Sequence, residues 1–495
     1  MIQINFQLTN IQWDVIIVGA GIIGCSAAYH IKKTSPELNV LLIDKQASAG
    51  YGNSIHSTGM YRNVFESPTN KMLTDSSIGF YKYVTRELDI DLGLKEIGYL
   101  FLEPKTRGEA LISKLKQLKI DHEVYSSEDL VNLLPGIRVN FDAEDNSMKT
   151  KLNPINIAYG ILGKKCGRLD PYLVAKFYEN EFKKEGGITR YRIEVTSILL
   201  GAAGEDSIEA TELGDISDTS FPVWIKPKVR GITFIDKKKN ESKSDSRSNR
   251  KEKRKKEPTL LTKSLILCTG AWINQLLDPI GIDSQVKPKK RQLFNFCYKK
   301  DSPSSAELRK NLLTLLNNEN FNKLGTIPLI ILPMAGVHIK PEKNEGCVTI
   351  GCADNIGRRF EPSIGVNEKG KLVRSSALDE PIWEEEFYIH SVLPILNLYF
   401  PKIFGHYLRS SGGDAGHYAI SPDGFPVVER DKSLDNLIYA SGLSGSGIMK
   451  ADALGRIVGA LFRNEENAIL FNGEKFKVAN LGKEQRNTQP ETIIL

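Results

Sequence analysis

The chain predicts an α/β fold: a Rossmann-like domain assembled from three separated segments, with a second α+β domain built on a mostly antiparallel sheet. Three observations lead there. The chain opens on a strand, a glycine-rich turn, a helix and a second strand in register. Two further glycine-bearing strand ends recur at residues 265–272 and 441–447. The stretches between them hold β-rich runs broken by Pro and Gly. One sheet must therefore gather strands from distant parts of the chain, and the intervening segments must build a second layer of their own.

Taken in order, residues 15–18 are an apolar, β-branched run of buried-strand type, residues 22–33 have helix-length spacing, and residues 39–43 form a second strand ending at Asp44. Between the first strand and the helix, Gly19, Gly21 and Gly24 spell G-x-G-x-x-G. Gly19 makes the tight turn, Gly21 lets backbone N–H groups approach a pyrophosphate, and Gly24 permits close helix–strand packing. The anion then sits on the helix N-terminus. Asp44, 20 residues after Gly24, can accept both hydroxyls of an adenosine ribose and disfavours a 2′-phosphate, so the ADP of FAD or NAD is expected rather than NADP. Ala20, Ile22, Ile23 and Lys45 are counted with this cofactor site.

The expected organisation is residues 1–84, 166–289 and 400–470 for the cofactor domain, 85–165 and 290–399 for the second domain, and 471–495 as a polar tail. In the second domain, IGYLFLE and EALISKLKQL read as strand and helix, and RQLFNFCYK, PLIILPMAGVHIKP and CVTIGCAD read as strands of an antiparallel sheet. LILCTGAW, residues 265–272, is a buried strand ending at Thr269 and Gly270, where the missing side chain lets backbone close over the cofactor. Residues 441–461 are a glycine-rich turn feeding a helix of about four turns. Gly442, Ser444, Gly445, Ser446, Gly447 and Ile448 are placed against the cofactor there, with the positive helix end aimed at charge that develops on it.

Composition narrows the class. With 495 residues, 41% apolar, the chain has the make-up of a soluble globular protein of two or three domains. The apolar stretch at 15–29 is too short and too glycine-interrupted to span a membrane, and Asp14 precedes it. With no targeting segment visible, a cytoplasmic location is expected. Residues 237–257 carry 11 Lys and Arg against 4 acidic residues, an excess of +7 within a chain of net charge +6, which leaves −1 for the rest. That run is expected to be a disordered basic insertion at the tip of a hairpin, with no nucleic-acid partner. The six cysteines show no CxxC spacing and are expected to be reduced core thiols, with no metal site.

With these pieces in this order, the chain resembles the FAD-dependent amino acid and amine oxidoreductases of the D-amino-acid oxidase, sarcosine oxidase and dimethylglycine dehydrogenase superfamily. The likeness covers nearly the whole length. Beyond the N-terminal fingerprint it rests on GNSIHSTGMYRNVF at 52–65, CGRLDPYLV at 166–174, LILCTGAW, HIKPE with VTIGCAD between 338 and 354, and AGHYAISPDGFPVVE with NLIYASGLSGSGIMKADALG between 415 and 455. The resemblance implies FAD as cofactor, a small amine or amino acid as substrate, and an electron acceptor and oligomeric state that the sequence leaves open. It also adds Ser54, His56, Ser57, Thr58 and Val195 to the cofactor contacts.

The same resemblance nominates chemistry. In one branch a histidine in a W-H-A-A-G-L context carries the flavin covalently, and IHSTGM places His56 there; in another branch H-S-T-G holds a histidine that lines the site untethered, and both readings stand. Arg62 lies where the family commonly has an arginine facing the substrate, and its guanidinium fork suits a carboxylate. Lys450 resembles a second carboxylate-binding residue, although the family lysine aligns one position earlier, with Met449. His417 and Tyr418 match a stretch facing the flavin, and Asp414 stands where relatives often have Trp. The lysine that activates dioxygen in sarcosine-type oxidases is matched by Thr349, which favours a dehydrogenase, because a threonine supplies no cation. The activity implied is oxidation of the C–N bond of a small amino acid or N-methyl amino acid. A flavin-bound assembly protein without turnover, and a 2-hydroxy acid dehydrogenase using His56 or His417 as base, are the alternatives.

Overall fold

A computed structural model describes residues 11–141, 152–202, 226–238, 257–297, 306–317, 321, 326–342, 346–353, 357–366, 372–379, 381–404, 410–484 and 486. The opening motif forms strand β1 (Gln12–Val18), helix α1 (Ile22–Thr34) and strand β2 (Val40–Asp44), with β1 and β2 parallel and Val18 opposite Ile43. The apolar runs at 15–18 and 40–43 are buried throughout, which is what a parallel sheet covered on both faces requires of them.

Eight strands share this sheet. Its path runs Ile193–Ala202, Pro227–Asp236, Thr259–Leu267, β1, β2, Ile188–Tyr191, with Leu437–Ser441 parallel to Thr259–Leu267 and Val427–Arg430 joined to it. On one face α1 packs against the helices Pro171–Lys184 and Ala451–Phe462, through a core that includes Tyr29, Phe80, Phe177, Tyr178 and Leu454. Trp13, Ile16, Leu265 and Tyr439 sit in the core of the other face.

The second large sheet also has eight strands. Its order is Gly412–Ile420, Lys287–Cys297, Cys347–Gly351, His338–Pro341, Leu329–Ile331, Tyr99–Glu103, Tyr159–Gly163, His122–Ser126. Every pair is antiparallel except Leu329–Ile331 with Tyr99–Glu103. Gly412–Ile420 pairs with Lys287–Cys297 over nine positions, so the stretch from 400 to 470 contributes strands to both sheets.

Two expectations need correcting. Cys297 and Cys347, read as reduced thiols, form a disulfide; they are 50 residues apart and face each other in the ladder of adjacent antiparallel strands. Linear spacing carries no trace of that proximity. Cys25, Cys166, Cys268 and Cys352 are free and buried. The C-terminal helix is also shorter than four turns: it starts at Ala451 and runs 12 residues, because 442–450 is taken up by turns that include the positive φ of Ser444 and Gly445. The hairpin Pro227–Asp236 with Thr259–Leu267 has the basic insertion at its tip; residues 239–256 of that insertion lie outside the described residues. Among the described residues, no helix is long and apolar enough to cross a membrane, and no cluster of His, Cys, Asp and Glu has a metal-binding arrangement.

Candidate active site

The three glycines of the fingerprint have different surroundings. Gly19 has φ +99°, and a side-chain carbon there would stand 2.5 Å from the carbonyl oxygen of Cys268. A carbon at Gly24 would stand 1.8 Å from the carbonyl oxygen of Gly19, so these two positions are closed by protein backbone. Gly21, the N-cap of α1, has extended φ −68° and meets only Ser54 Oγ at 3.5 Å. It faces a long cavity.

That cavity runs along the carboxyl ends of the first sheet's strands. Of the residues expected to hold a cofactor, Gly19, Gly21, Ile22, Ile23, Asp44, Lys45, Ser54, Ser57, Thr58 and Val195 line it. So do Thr269, Gly270, Gly445, Gly447 and Ile448, together with His417 and Tyr418. The Asp44 carboxylate accepts the N–H of Ala20 at 2.6 Å and of Gln46 at 2.7 Å, one on each oxygen, which leaves each oxygen a lone pair for a hydroxyl. Burial raises its pKa, and the two backbone donors oppose that. Ser54 Oγ accepts the Ile22 N–H at 3.2 Å. Ala20, Gly24, Gly442 and His56 are not among the lining residues. Ala20 and Gly24 instead support the turn, and the His56 ring pairs through Nδ1 with Asp414 Oδ1 at 2.8 Å, which raises the imidazole pKa.

A second, smaller cavity of about 50 Å³ shares Thr58, Met60, Tyr418 and Gly445 with the first. Gly445 has φ +88°, and a side-chain carbon there would lie 2.4 Å from the Tyr418 ring, so glycine is what lets this ring stand at the junction. Arg62 and Lys450, 388 residues apart, both line the small cavity and both lie against one ring: the Arg62 guanidinium is 4.7 Å and the Lys450 ammonium 5.3 Å from the Phe65 centroid. Both are almost fully buried. Lys450 Nζ donates to Asn70 Oδ1 and Ser446 Oγ, each at 2.7 Å, and Arg62 Nη1 donates to the Val64 carbonyl at 3.2 Å. Ser444 and Ser446, expected near the cofactor, line this cavity and not the long one.

Sequence reasoning missed several lining residues. Asn70, Tyr99 and His338 border the small cavity, and Trp272, Gln275 and Arg374 border the long one. Trp272 closes LILCTGAW, and the other five belong to no glycine motif. LILCTGAW and HIKPE were singled out, but neither Trp272 nor His338 was given a role there. Arg374 reaches across to the edge of the first sheet and donates to the carbonyls of Val195, at 2.6 Å, and Thr196, and Asp379 bridges Lys45 and Trp272. Thr349 lines neither cavity; its hydroxyl donates to Asn295 and Glu342. The strand pairing places Lys340 opposite Thr349, with its Nζ 3.2 Å from the Thr58 carbonyl and 3.0 Å from Glu342.

The family described as FAD dependent oxidoreductase, DAO, matches residues 14–219 and 228–461, which is most of the length. The chain belongs to that family. Human peroxisomal sarcosine oxidase is 24% identical over 288 residues, covering 58% of this chain and 57% of its own, so the chain spans little more than half the length of that relative. The Xenopus laevis FAD-dependent oxidoreductase domain-containing protein 1 is 23% identical over 478 residues, covering 90% of this chain and 78% of its own. Among solved structures, L-proline dehydrogenase from P. horikoshii superposes with a TM-score of 0.62 at 16% identity, covering 95% of this chain and 96% of its own. Glycine oxidase from Geobacillus kaustophilus gives 0.61 at 15%, covering 96% and 100%. These two likenesses establish the shared fold.

The long cavity fits the FAD of this family. Gly21 keeps the N-terminus of α1 open, Asp44 offers acceptors at the end of β2, and buried polar atoms face the cavity. His417 is 3% exposed, and among the described residues neither of its ring nitrogens has a hydrogen-bond partner, nor does Thr269 Oγ1. Burial, and then the charge of Lys290, lower the His417 pKa to about 4, so the imidazole is neutral and offers one donor and one acceptor. Polar atoms buried this way call for a partner.

Proposed function

We propose that this chain is an FAD-dependent enzyme that oxidises the C–N bond of a small amino acid or N-methyl amino acid. The observation that carries this reading is the pairing of Arg62 and Lys450 in the small cavity beside Tyr418, at one end of the long one. Two buried cations suit a carboxylate, and a volume of about 50 Å³ suits a small molecule. The side chains hold the substrate by its acid group, with the carbon that loses hydrogen turned toward the shared wall formed by Met60, Tyr418 and Gly445. FAD, when bound, takes up the hydride, and the imine product hydrolyses in water. The chain's own contribution is position, charge and exclusion of water.

We further infer a dehydrogenase. Thr349 provides no cation, and the charge of Lys340 opposite it is offset by Glu342. The test is to mix the purified protein anaerobically with a panel of small amino acids and follow loss of the oxidised flavin's visible absorbance, then to compare reoxidation by dioxygen with reoxidation by an artificial dye. Bleaching by an amino acid with slow reaction toward dioxygen is expected. A flavin that no amino acid bleaches removes the reading.

A further inference from the structure

His338 stands on the strand His338–Pro341 and borders the small cavity with Arg62 and Lys450. Its Nδ1 lies 3.0 Å from the carbonyl oxygen of Gly336. A carbonyl can only accept, so Nδ1 carries the proton, and Nε2 is left with a lone pair. The ring packs against the neighbouring strand at position 351, opposite His338 in the ladder, where the residue is glycine. A side-chain carbon there would be 2.3 Å from Nε2 and 2.4 Å from Cε1. The orientation is therefore set twice, by the Gly336 carbonyl and by the bare backbone of Gly351.

We propose that His338 Nε2 is the proton acceptor for the substrate's ammonium group in the small cavity. This rests on the amine-oxidation reading above. A free amino acid carries an ammonium at neutral pH, and its C–H cannot leave with two electrons until the nitrogen has a lone pair to share. The N–H proton passes to Nε2, giving imidazolium and neutral amine. The hydride and its electron pair then leave carbon for the FAD, the C–N bond becomes double, and imidazolium returns its proton to water. Neither His56 nor His417 can serve, because neither borders this cavity. The groups that face His338 are Arg62, Lys450, Tyr99 and Tyr418 around the cavity and Lys340 on its own strand. Burial and Lys340 keep the imidazole neutral and ready to accept, and the neighbouring cations make the ammonium a stronger acid in the cavity than in water.

The experiment compares wild type with His338→Asn and His338→Gln, following anaerobic flavin bleaching by a reducing amino acid across a pH series, with FAD content as the check on folding. General acid–base help is worth roughly 100- to 10,000-fold, so bleaching at neutral pH should slow by at least about 100-fold. The loss should shrink tenfold for each unit of rising pH as the substrate deprotonates in solution. Binding of acetate, read from the shift it causes in the flavin spectrum, should change less than about threefold, because Arg62 and Lys450 remain. The pH profiles give a second test: wild type should be level near neutral pH and fall only on the acid side, as His338 takes up a proton, whereas both variants should keep rising about tenfold per unit through neutrality. If wild type is bleached and a variant is bleached as fast, or slowly but without recovery at high pH, His338 is not the acceptor and the amine reading stands. Wild type that no amine bleaches overturns both.

Discussion

Gly21 and Gly24 look equivalent in the fingerprint, yet the structure predicts opposite failures when each becomes alanine. At Gly24 the new carbon would lie 1.8 Å from the Gly19 carbonyl oxygen, roughly 1.6 Å inside ordinary contact. Both partners are backbone, so α1 must shift as a body, and 11 of its 13 residues are buried. Overpacking of that kind costs about 1–3 kcal/mol or more. Gly24→Ala should therefore lower the melting temperature and weaken FAD binding together. At Gly21 the backbone is extended and the nearest protein atom is Ser54 Oγ at 3.5 Å, so alanine fits, with a loss of about 1 kcal/mol or less from the poorer cap. What it would fill is the cavity in front of α1. Displacing one or two charge-assisted hydrogen bonds to a pyrophosphate costs about 2–4 kcal/mol, or roughly 30- to 1000-fold in Kd. Far-UV circular dichroism and melting of the apoprotein, with titration of FAD by fluorescence quenching, separate the two cases. A Gly21→Ala protein that binds FAD as tightly as wild type would refute the placement of the pyrophosphate at α1.

Arg62→Ala should raise KM for the amino acid by the equivalent of about 2–4 kcal/mol while FAD content is unchanged; unaltered steady-state kinetics would shift the carboxylate anchor to Lys450. His417 is held neutral with a pKa lowered to about 4 from an unfolded value near 6.5. The unfolded chain therefore binds more protons between those values, and stability present above pH 6.5 drains away as pH falls toward 4, by about 3 kcal/mol; His417→Asn should flatten that slope in urea titrations. The disulfide Cys297–Cys347 closes a 50-residue separation, so Cys297→Ser is expected to lose up to roughly 4 kcal/mol in denaturant unfolding, and a variant as stable as wild type would show that the pair adds nothing. Deleting residues 239–256 and closing the hairpin with a short glycine turn should leave FAD content and melting temperature unchanged, as judged by absorbance and calorimetry.

The parts of this protein legible in sequence are those written in contiguous residues. G-x-G-x-x-G, the apolar runs of β1 and β2 and the terminal Asp44 are local, because backbone conformation, strand period and helix spacing act over a few residues. The ladder Pro227–Asp236 with Thr259–Leu267 was readable for the same reason. What only tertiary structure decided was who meets whom across long separations in the chain. Arg62 and Lys450 share the Phe65 ring, and Cys297 meets Cys347 through sheet pairing; no spacing records either meeting. His56 turns to Asp414 instead of the cavity, while His338, which the sequence marked only as part of HIKPE and gave no role, is aimed by the Gly336 carbonyl and the empty space over Gly351. A side chain's role depends on the cavity its neighbours leave it, and that cavity exists only once both sheets have formed.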